Sequence, residues 1–424
     1  MTMKVLHLST TDRGGAGKAA HRLHQNFLKQ GFESRMLVMN KETIDPFVYE
    51  LIGKKHPFRI KNIITKIFLK IISDHDYYFQ DQRTTSVVKV ANFFRKVGFK
   101  PDIIVAHWVS NFLSIEDLYK LNTQTDIPVI WYLMDMAPLT GGCHYAWECN
   151  GYMNSCGTCH ALRSKKSNDL SSKIWKMKEN CAQKMDITIV SATSWLTKQA
   201  HQATIYNNKR IEQIMLAVDP DIFKPEVKEV VRSVLDLPLD KKVIFFGAQS
   251  LKVKRKGMSF LVDALKHISV LPGFNKGKFV VVSAGDVSEI KEFLDSTFNH
   301  YPLGYLNNDE MLASAYQASD VFVCPSVEDS GPMMINESIM CGTPVVSFEM
   351  GVAPDLVHLG KTGYRAELKN SEDLAKGIMY ILNLNQDEAH KMREQCRNTG
   401  LQLCHPQVQT ESFKKLFNSL LGDI

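Results

Sequence analysis

The sequence predicts an α/β protein made of two doubly wound parallel-sheet domains. Three observations predict it. Short apolar strands alternate with amphipathic helical stretches in both halves, the pattern of parallel sheets covered by helices. A chain of 424 residues with 44% hydrophobic content exceeds what one core holds. Between the halves, Asp219-Pro-Asp-Ile-Phe-Lys-Pro225 reads as a linker whose prolines stop regular structure. The expected domains are 1–217, joined by a returning segment at about 407–424, and 218–406.

The elements follow in order. In the first half, strands are expected near residues 5–8, 33–38, 103–106, 128–133 and 187–191. In the second half they fall near 243–246, 278–283, 321–324 and 344–347. Residues 407–421 carry apolar positions at helical spacing and are expected to cross back to the first domain. There is no internal repeat or low-complexity tract.

Composition narrows the class. No apolar run approaches the roughly 20 residues needed to span a bilayer. The chain enters a strand directly at Lys4, with no signal peptide expected. Nine cysteines, an odd number spread along the chain, suggest a reducing compartment, so the cytoplasm is the expected location. Charge is uneven. Residues 1–217 hold 29 Lys and Arg against 18 Asp and Glu, a net +11, while the remainder holds 22 against 27, a net −5. The basic half suggests an anionic partner: a membrane surface, a lipid diphosphate or an acidic sugar. Nucleic acid is not expected, because neither an aromatic–basic RNA motif nor zinc-finger spacing of that type is present.

The richest stretch is Val323-Cys-Pro-Ser-Val-Glu-Asp-Ser-Gly-Pro-Met-Met-Ile-Asn-Glu-Ser-Ile-Met-Cys-Gly-Thr-Pro-Val-Val-Ser347. A strand, an acidic turn with Glu328 and Asp329, a helix carrying Glu337 and a second strand follow one another. That order puts carboxylates and helix N-terminal amides at the carboxyl edge of a parallel sheet, where open α/β sheets bind ligands. The amides of Ser330, Gly331, Met333, Met334 and Ile335 can meet phosphate or sugar oxygens there. Glu337 can accept two ribose hydroxyls. The bland alternative is an ordinary βαβ unit with solvated acids on top.

This stretch resembles the signature of the retaining, nucleotide-sugar-dependent glycosyltransferases of family 4. More closely it resembles a capsule, exopolysaccharide and O-antigen branch with the wording E-D-N-x-P-N-x-x-x-E-A-x-x-C-G-T-P-V. The family pattern is an acid, seven intervening residues, then Glu. Asp329 to Glu337 has that spacing, while Glu328 is one residue further away. The resemblance implies the GT-B architecture, two facing Rossmann-like domains, with the donor in the cleft between them.

Two loops complete the donor reading. Ser9-Thr-Thr-Asp-Arg-Gly-Gly-Ala-Gly-Lys-Ala-Ala20 joins the first strand to the first helix. Asp12 and Ala19 exclude a Walker motif, and the dinucleotide fingerprint lacks its final Gly. Gly14 and Gly15 nonetheless allow close backbone approach, and the resemblance implies that this pair faces the donor diphosphate and sugar. A plain tight turn reads the same residues equally well. In the second half, Lys252, Lys254, Arg255 and Lys256 precede a helix N-terminus, where cations are disfavoured unless an anion shares the site. A nucleotide diphosphate supplies that anion. The resemblance assigns the role to Lys256, usually beside an upstream Arg; here Ala248 and Gln249 occupy that region, so Arg255 must serve.

The sugar side departs from the family. Trp131-Tyr-Leu-Met-Asp-Met-Ala-Pro-Leu-Thr-Gly-Gly-Cys-His-Tyr145 resembles the branch wording L-H-D-M-W-P-x-T-G-G-C-H-Y, whose first His helps hold the transferred sugar. Met134 stands at that position, Asp135 remains, and His144 offers an imidazole from the neighbouring loop. Cys143, Cys149, Cys156 and Cys159 follow in a loop of little apolar content. Four thiolates on a structural zinc would order it, free thiols being the alternative. Cys324 and Cys341 read as core.

Residues 58–72 place Ile60, Ile63, Ile64, Ile67, Phe68 and Ile71 at helical spacing, with Arg59, Lys61, Lys66 and Lys70 between them. Such a helix either lies on an anionic membrane or packs on its own domain.

The expected function is transfer of a sugar, with retention, from a nucleotide diphosphate sugar to a glycan or lipid-linked glycan acceptor in surface polysaccharide biosynthesis, at the cytoplasmic face of the membrane. Asp329 or Glu328 would hold sugar hydroxyls, Lys256 and Arg255 the leaving diphosphate, with no catalytic metal. A nucleotide-sugar epimerase of the same architecture, or a binding subunit without catalysis, are the rival readings.

Overall fold

The computed structural model describes residues 2–51, 53, 57–83, 90–250, 253–306 and 308–422. The chain forms two compact units. One comprises Met1–Met215 with Gln409–Ile424, the other Leu216–Val408.

In the first unit the strands are β1 (Lys4–Thr11), β2 (Glu33–Asn40), β3 (Val48–Glu50), β4 (Ile103–Ala106), β5 (Val129–Leu133), β6 (Ile187–Ser191) and β7 (Ile211–Gln213). They form one parallel sheet in the order β3-β2-β1-β4-β5-β6-β7. In the second unit β8 (Lys242–Ser250), β9 (Phe279–Asp286), β10 (Asn299–Pro302), β11 (Val321–Cys324), β12 (Val345–Phe348) and β13 (Gly363–Ala366) form a parallel sheet in the order β10-β9-β8-β11-β12-β13. The central strands are apolar on both faces, as sheets sandwiched by helices require; every residue of β4, β5, β6, β11 and β12 is buried.

Each sheet reverses direction once. The reversal lies between β1 and β4 in the first unit and between β8 and β11 in the second. Connections on either side of such a point leave in opposite directions and open a crevice at the strands' carboxyl ends. Four loops therefore matter most: those after β1, β4, β8 and β11.

The edge strands β3, β7, β10 and β13 are additions to the sequence reading. Their segments, such as Ile211-Glu-Gln213, are short and half-buried, so they carry little apolar signal. The last helix, Pro406–Leu421, brings Phe413, Leu416 and Phe417 into the core of the first unit. Phe413 and Phe417 pack edge-on against Phe27 at 5.7 and 5.6 Å between ring centroids, and Phe413 meets Tyr132 at 5.3 Å.

Candidate functional site

At the reversal point of the second unit, backbone chemistry joins the loops after β8 and β11. The Arg255 carbonyl accepts the Val327 N–H at 2.8 Å and the Glu328 N–H at 3.3 Å. Gly257 makes this approach possible. Its φ is +66°, and a Cβ there would stand 1.8 Å from the Pro325 carbonyl oxygen. The Lys-Gly pair is therefore a packing requirement as well as a source of charge.

Across this junction one carboxylate meets two cations. Asp329 Oδ2 accepts from Lys256 Nζ at 2.6 Å and from Arg255 NH1 at 2.8 Å. Its Oδ1 accepts the Gly331 N–H at 3.3 Å. Burial pushes the Asp329 carboxyl up, but Lys256 and Arg255 outweigh it and hold the group below its ordinary value. Asp329 is thus a partner of the cations rather than a carboxylate left open to sugar hydroxyls. The family spacing finds this residue, but spacing says nothing of its cross-loop partners. Glu328 beside it is buried. Lys256 and Arg255 keep 29% and 21% of their side-chain surface exposed, enough to reach a ligand.

The helix Met333–Met340 starts behind Pro332, with no side-chain cap. Not all of its expected amides are available: Ile335 N–H donates to the Pro332 carbonyl at 3.0 Å, and that of Gly331 goes to Asp329. Met333 and Met334, as the first helical residues, have amides without an intrahelical acceptor. Ser330 is buried on the approach to this helix. Glu337 is also buried, and its Oε2 accepts from the Tyr316 hydroxyl at 3.4 Å. Burial and the Glu337 charge push the Tyr316 hydroxyl pKa well up, so it stays a donor.

At the reversal point of the first unit the loop after β1 carries exposed Arg13 beside two glycines. Gly14 and Gly15 are exposed, and a Cβ at either would meet nothing within 4 Å. Gly14 is needed for its φ of +70° alone. The sterically demanding glycine is Gly17, whose Cβ would stand 2.7 Å from the Thr11 carbonyl oxygen. Asp12, which replaces a P-loop glycine, is a strut: its buried carboxylate accepts from Glu42 N–H, Thr43 N–H and the Thr43 hydroxyl at 2.8, 2.9 and 2.6 Å. Beneath the turn, His7 Nδ1 and His107 Nε2 lie 2.9 Å apart, both buried.

The loop after β5 carries Met134, Asp135 and His144. Asp135 Oδ1 accepts the Ala137 N–H at 2.8 Å, and Oδ2 lies 2.6 Å from His144 Nδ1. A carboxylate needs a donor, so Nδ1 carries the proton and cannot also accept from the Trp108 indole N–H at 3.3 Å. The lone pair is then on Nε2, which is buried with no hydrogen-bond partner among the described residues. This carboxylate-oriented imidazole has the form of a general base. Met134 lines a small cavity with Trp108, Asp135 and Lys178, of about 20 Å³.

Lys178 was not singled out by sequence. It is 1% exposed, and its ammonium donates to the carbonyls of Ala137 and Thr140, pinning the loop that follows Asp135. Burial pulls its pKa down to about 7. The signal was present, because Lys178 lies on the apolar stripe Ile174, Trp175, Cys181 and Ala182 of the helix Leu170–Lys184.

Cys143, Cys149, Cys156 and Cys159 line one cavity of about 20 Å³. A hydrogen bond between the Cys143 and Cys159 thiols brings Cys159 down to about 6 and pushes Cys143 up. Cys156 Sγ accepts the Gly141 N–H at 3.3 Å. Among the described residues no group of three or more His, Cys, Asp or Glu is arranged to hold a metal ion.

The helix Pro57–Ile72 is turned outward. Ile60, Ile63, Ile64, Ile67, Phe68 and Ile71 are all more than half exposed, whereas Asn62 and Leu69 are buried. Of the two sequence alternatives, packing of this apolar stripe on its own domain is the one that fails. Lys252 and the side chains of Arg59 and Lys61 lie outside the described residues. No helix among the described residues is long and apolar enough to cross a membrane.

With this geometry in place, the relatives can be read. Residues 240–384 match the family described as glycosyl transferases group 1. Over 186 residues the chain is 25% identical to the D-inositol 3-phosphate glycosyltransferase of Mycolicibacterium smegmatis, covering 42% of this chain and 41% of that protein. The chain thus spans about two fifths of that relative's length. Among solved structures it resembles sucrose-phosphate synthase from Thermosynechococcus elongatus, with a TM-score of 0.68 at 14% identity over 99% of this chain and 100% of that one. It also resembles Anabaena HepE in complex with UDP-glucose, with a TM-score of 0.65 at 13% identity over 98% and 100% of the two chains. At such identities the likeness shows the fold, which is GT-B: two Rossmann-like α/β domains.

Proposed function

We propose that the protein is a glycosyltransferase that moves a sugar from a nucleotide diphosphate sugar to a lipid-linked glycan or related phosphorylated acceptor, with retention, in surface polysaccharide biosynthesis. The observation that carries this reading is the cluster of Lys256, Arg255 and Asp329 at the reversal point of the second unit. A departing diphosphate gains negative charge as its bond to the sugar breaks, and pre-positioned cations stabilise that charge without reorganising. Asp329 keeps the two cations in register. Met333 and Met334 supply amides to the phosphates, and Glu337 supplies a carboxylate to ribose hydroxyls. Retention and the polysaccharide setting are carried over from the resemblance at residues 323–347. The name of the Mycolicibacterium relative favours a second acceptor, a phosphorylated polyol.

The exposed apolar ridge of the helix Pro57–Ile72, with Lys66 and Lys70 beside it, supports contact with an anionic membrane from the cytoplasmic side. Zinc enters this proposal as a structural ion only. Elemental analysis tests it: one zinc per chain would require the four cysteines to close further, and none would leave them as thiols.

Thermal-shift titration with UDP, GDP and ADP, free and sugar-linked, tests the donor assignment. At least one is expected to stabilise the wild type and not Lys256→Ala. If none stabilises the wild type, the assignment fails. Conversion of donor without acceptor would identify an epimerase, and binding without turnover a partner subunit.

A further inference from the structure

The inner side of the helix Pro57–Ile72 roofs a cavity of about 290 Å³, near the lower end of small-molecule sites at roughly 300–1,000 Å³. Lys66 and Lys70 of the basic amphipathic stretch line it, whereas the residues expected at the donor, sugar and cysteine sites do not. Its walls are unusually polar for a space beneath an apolar helix. Lys66 and Lys70, the carboxylates Asp74 and Asp81, and the amides Gln80 and Asn111 all line it.

The two lysines are four residues apart, so their ammoniums share one helix face, and both are exposed. Neither lysine enters an ion pair among the described residues, while the Asp81 carboxylate on the cavity wall is held by Arg83 at 3.0 Å. Like charges at this spacing repel by a few tenths of a kcal/mol, a cost that an anion between them would offset. The amides suit hydroxyls. Asn111 Nδ2 donates to Gln80 Oε1 at 2.8 Å, and the Asn111 carbonyl accepts from Asn62 Nδ2 at 2.7 Å, which fixes the amides. Tyr78, half-exposed at φ +48°, adds an aromatic face.

Two further observations tie this cavity to the rest of the unit. Tyr78 packs edge-on against His144 at 5.1 Å, and the Tyr77 carbonyl accepts the His144 N–H at 3.1 Å. The cavity wall is therefore continuous with the Asp135–His144 pair. On its outer side the same helix presents the isoleucine ridge, so Lys66 and Lys70 lie between exposed apolar surface and the cavity. That is the depth at which lipid phosphates sit when an amphipathic helix is inserted.

We infer that the cavity beneath the helix Pro57–Ile72 is the acceptor subsite, binding a phosphate on Lys66 and Lys70 and the attached hydroxylated ring against Gln80, Asn111 and Tyr78. The inference deepens the glycosyltransferase reading and rests on it. The shared chemistry is a phosphorylated sugar or polyol, held either by a lipid or free in solution.

The test uses the full chain and the charge-reversed variant Lys66→Glu/Lys70→Glu, with Lys66→Gln/Lys70→Gln as the milder form and Ile63→Ser/Ile67→Ser as the ridge variant. Binding of inositol 1-phosphate and glucose 1-phosphate is measured in solution, and binding to phosphatidylinositol and phosphatidylcholine vesicles by sedimentation. Nucleotide diphosphate affinity, measured on the same samples, reports on fold and donor site independently. Both lysine pairs are expected to weaken phosphate-ligand binding by at least about tenfold and to leave nucleotide affinity within about twofold. A loss confined to vesicles in the ridge variant identifies a lipid-borne acceptor; unaltered vesicle binding there identifies a free one. The inference is overturned if nucleotide binds the wild type but no phosphate probe does, or if lysine reversal leaves phosphate binding unchanged. Failure of nucleotide binding with intact phosphate binding would instead sink only the donor reading.

Discussion

The two units share one topology and differ in how their reversal points are held. In the second, the loops after β8 and β11 are closed by charge, with Asp329 between Lys256 and Arg255, and by a glycine pressed against a carbonyl. In the first, the loop after β1 carries two open glycines and rests on a neutral, buried layer of His7 and His107. A fold that repeats its crevice does not repeat its chemistry; the loop residues assign the tasks.

Acid should separate the two most strongly. Burial, with neighbouring charges, brings His24 down to about 4 and His107 down to about 3, and pushes His7 well below its ordinary value. Once unfolded, these histidines take up protons below about pH 6.5 while the folded ones do not. The unfolded chain then binds more protons, so the first unit loses stability as pH falls from about 6.5 toward 4. The slope is roughly 1.4 kcal/mol per pH unit for each histidine. Asp329 follows the same sign in a lower window: its lowered pKa contributes stability above the unfolded value of about 3.9, lost only as pH falls further. Hydrogen exchange at pH 5 is expected to open β1 and β4 before β8 and β11. Equal opening of both sheets would break the contrast.

Glycine substitutions probe the same difference sterically. Gly257→Ala meets a carbonyl and a disallowed φ, and should cost about 3 kcal/mol or more and abolish nucleotide binding. Gly15→Ala meets nothing, and its thermal midpoint should stay within about 2 °C of wild type. A large loss for Gly15→Ala would mean that the first loop is held as tightly as the second.

Within the charged cluster, Lys256→Ala is expected to weaken nucleotide diphosphate binding by roughly a hundredfold, in the range measured for truncating one partner of a buried charge pair. Asp329→Asn should leave that affinity within about threefold and lower turnover by roughly tenfold, because it loosens the cations without removing them. Calorimetry with the nucleotide and steady-state rates separate these outcomes. Equal affinity losses in both variants would make Asp329 a ligand in its own right.

Much of this was readable in the chain. The central strands were legible because a strand buried on both faces is a continuous apolar run, as in Val321-Phe-Val-Cys324. The edge strands were not, since half-burial leaves no such run. Lys256, Asp329 and Glu337 were singled out by wording and spacing. The pairing of Asp329 with Lys256 joins residues 73 apart, and no local pattern carries it. The exposure of the 57–72 ridge was equally illegible, because periodicity gives a stripe but not the direction it faces. Lys178 was legible and overlooked, a cation on an apolar stripe.

The smallest expected effect bears on Met134, which stands where the resembling wording has His. Met134 follows β5 and lines the small cavity shared with Asp135 and Lys178, beside Trp108. A histidine placed there would find an acceptor in Asp135, but Asp135 already holds His144 and the Ala137 amide. The cavity, at about 20 Å³, has room for little more than one water. Met134→His is therefore expected to change turnover by less than about tenfold, equivalent to about 1.4 kcal/mol, and to leave nucleotide affinity unchanged, since Lys256 and Arg255, which carry the proposed donor site, lie in the other unit. Steady-state rates on the best donor, with calorimetry on the free nucleotide, measure both. A rise well beyond tenfold would show that the first unit's reversal point lacks an imidazole the reaction needs. A fall in nucleotide affinity would break the division of labour between the two units.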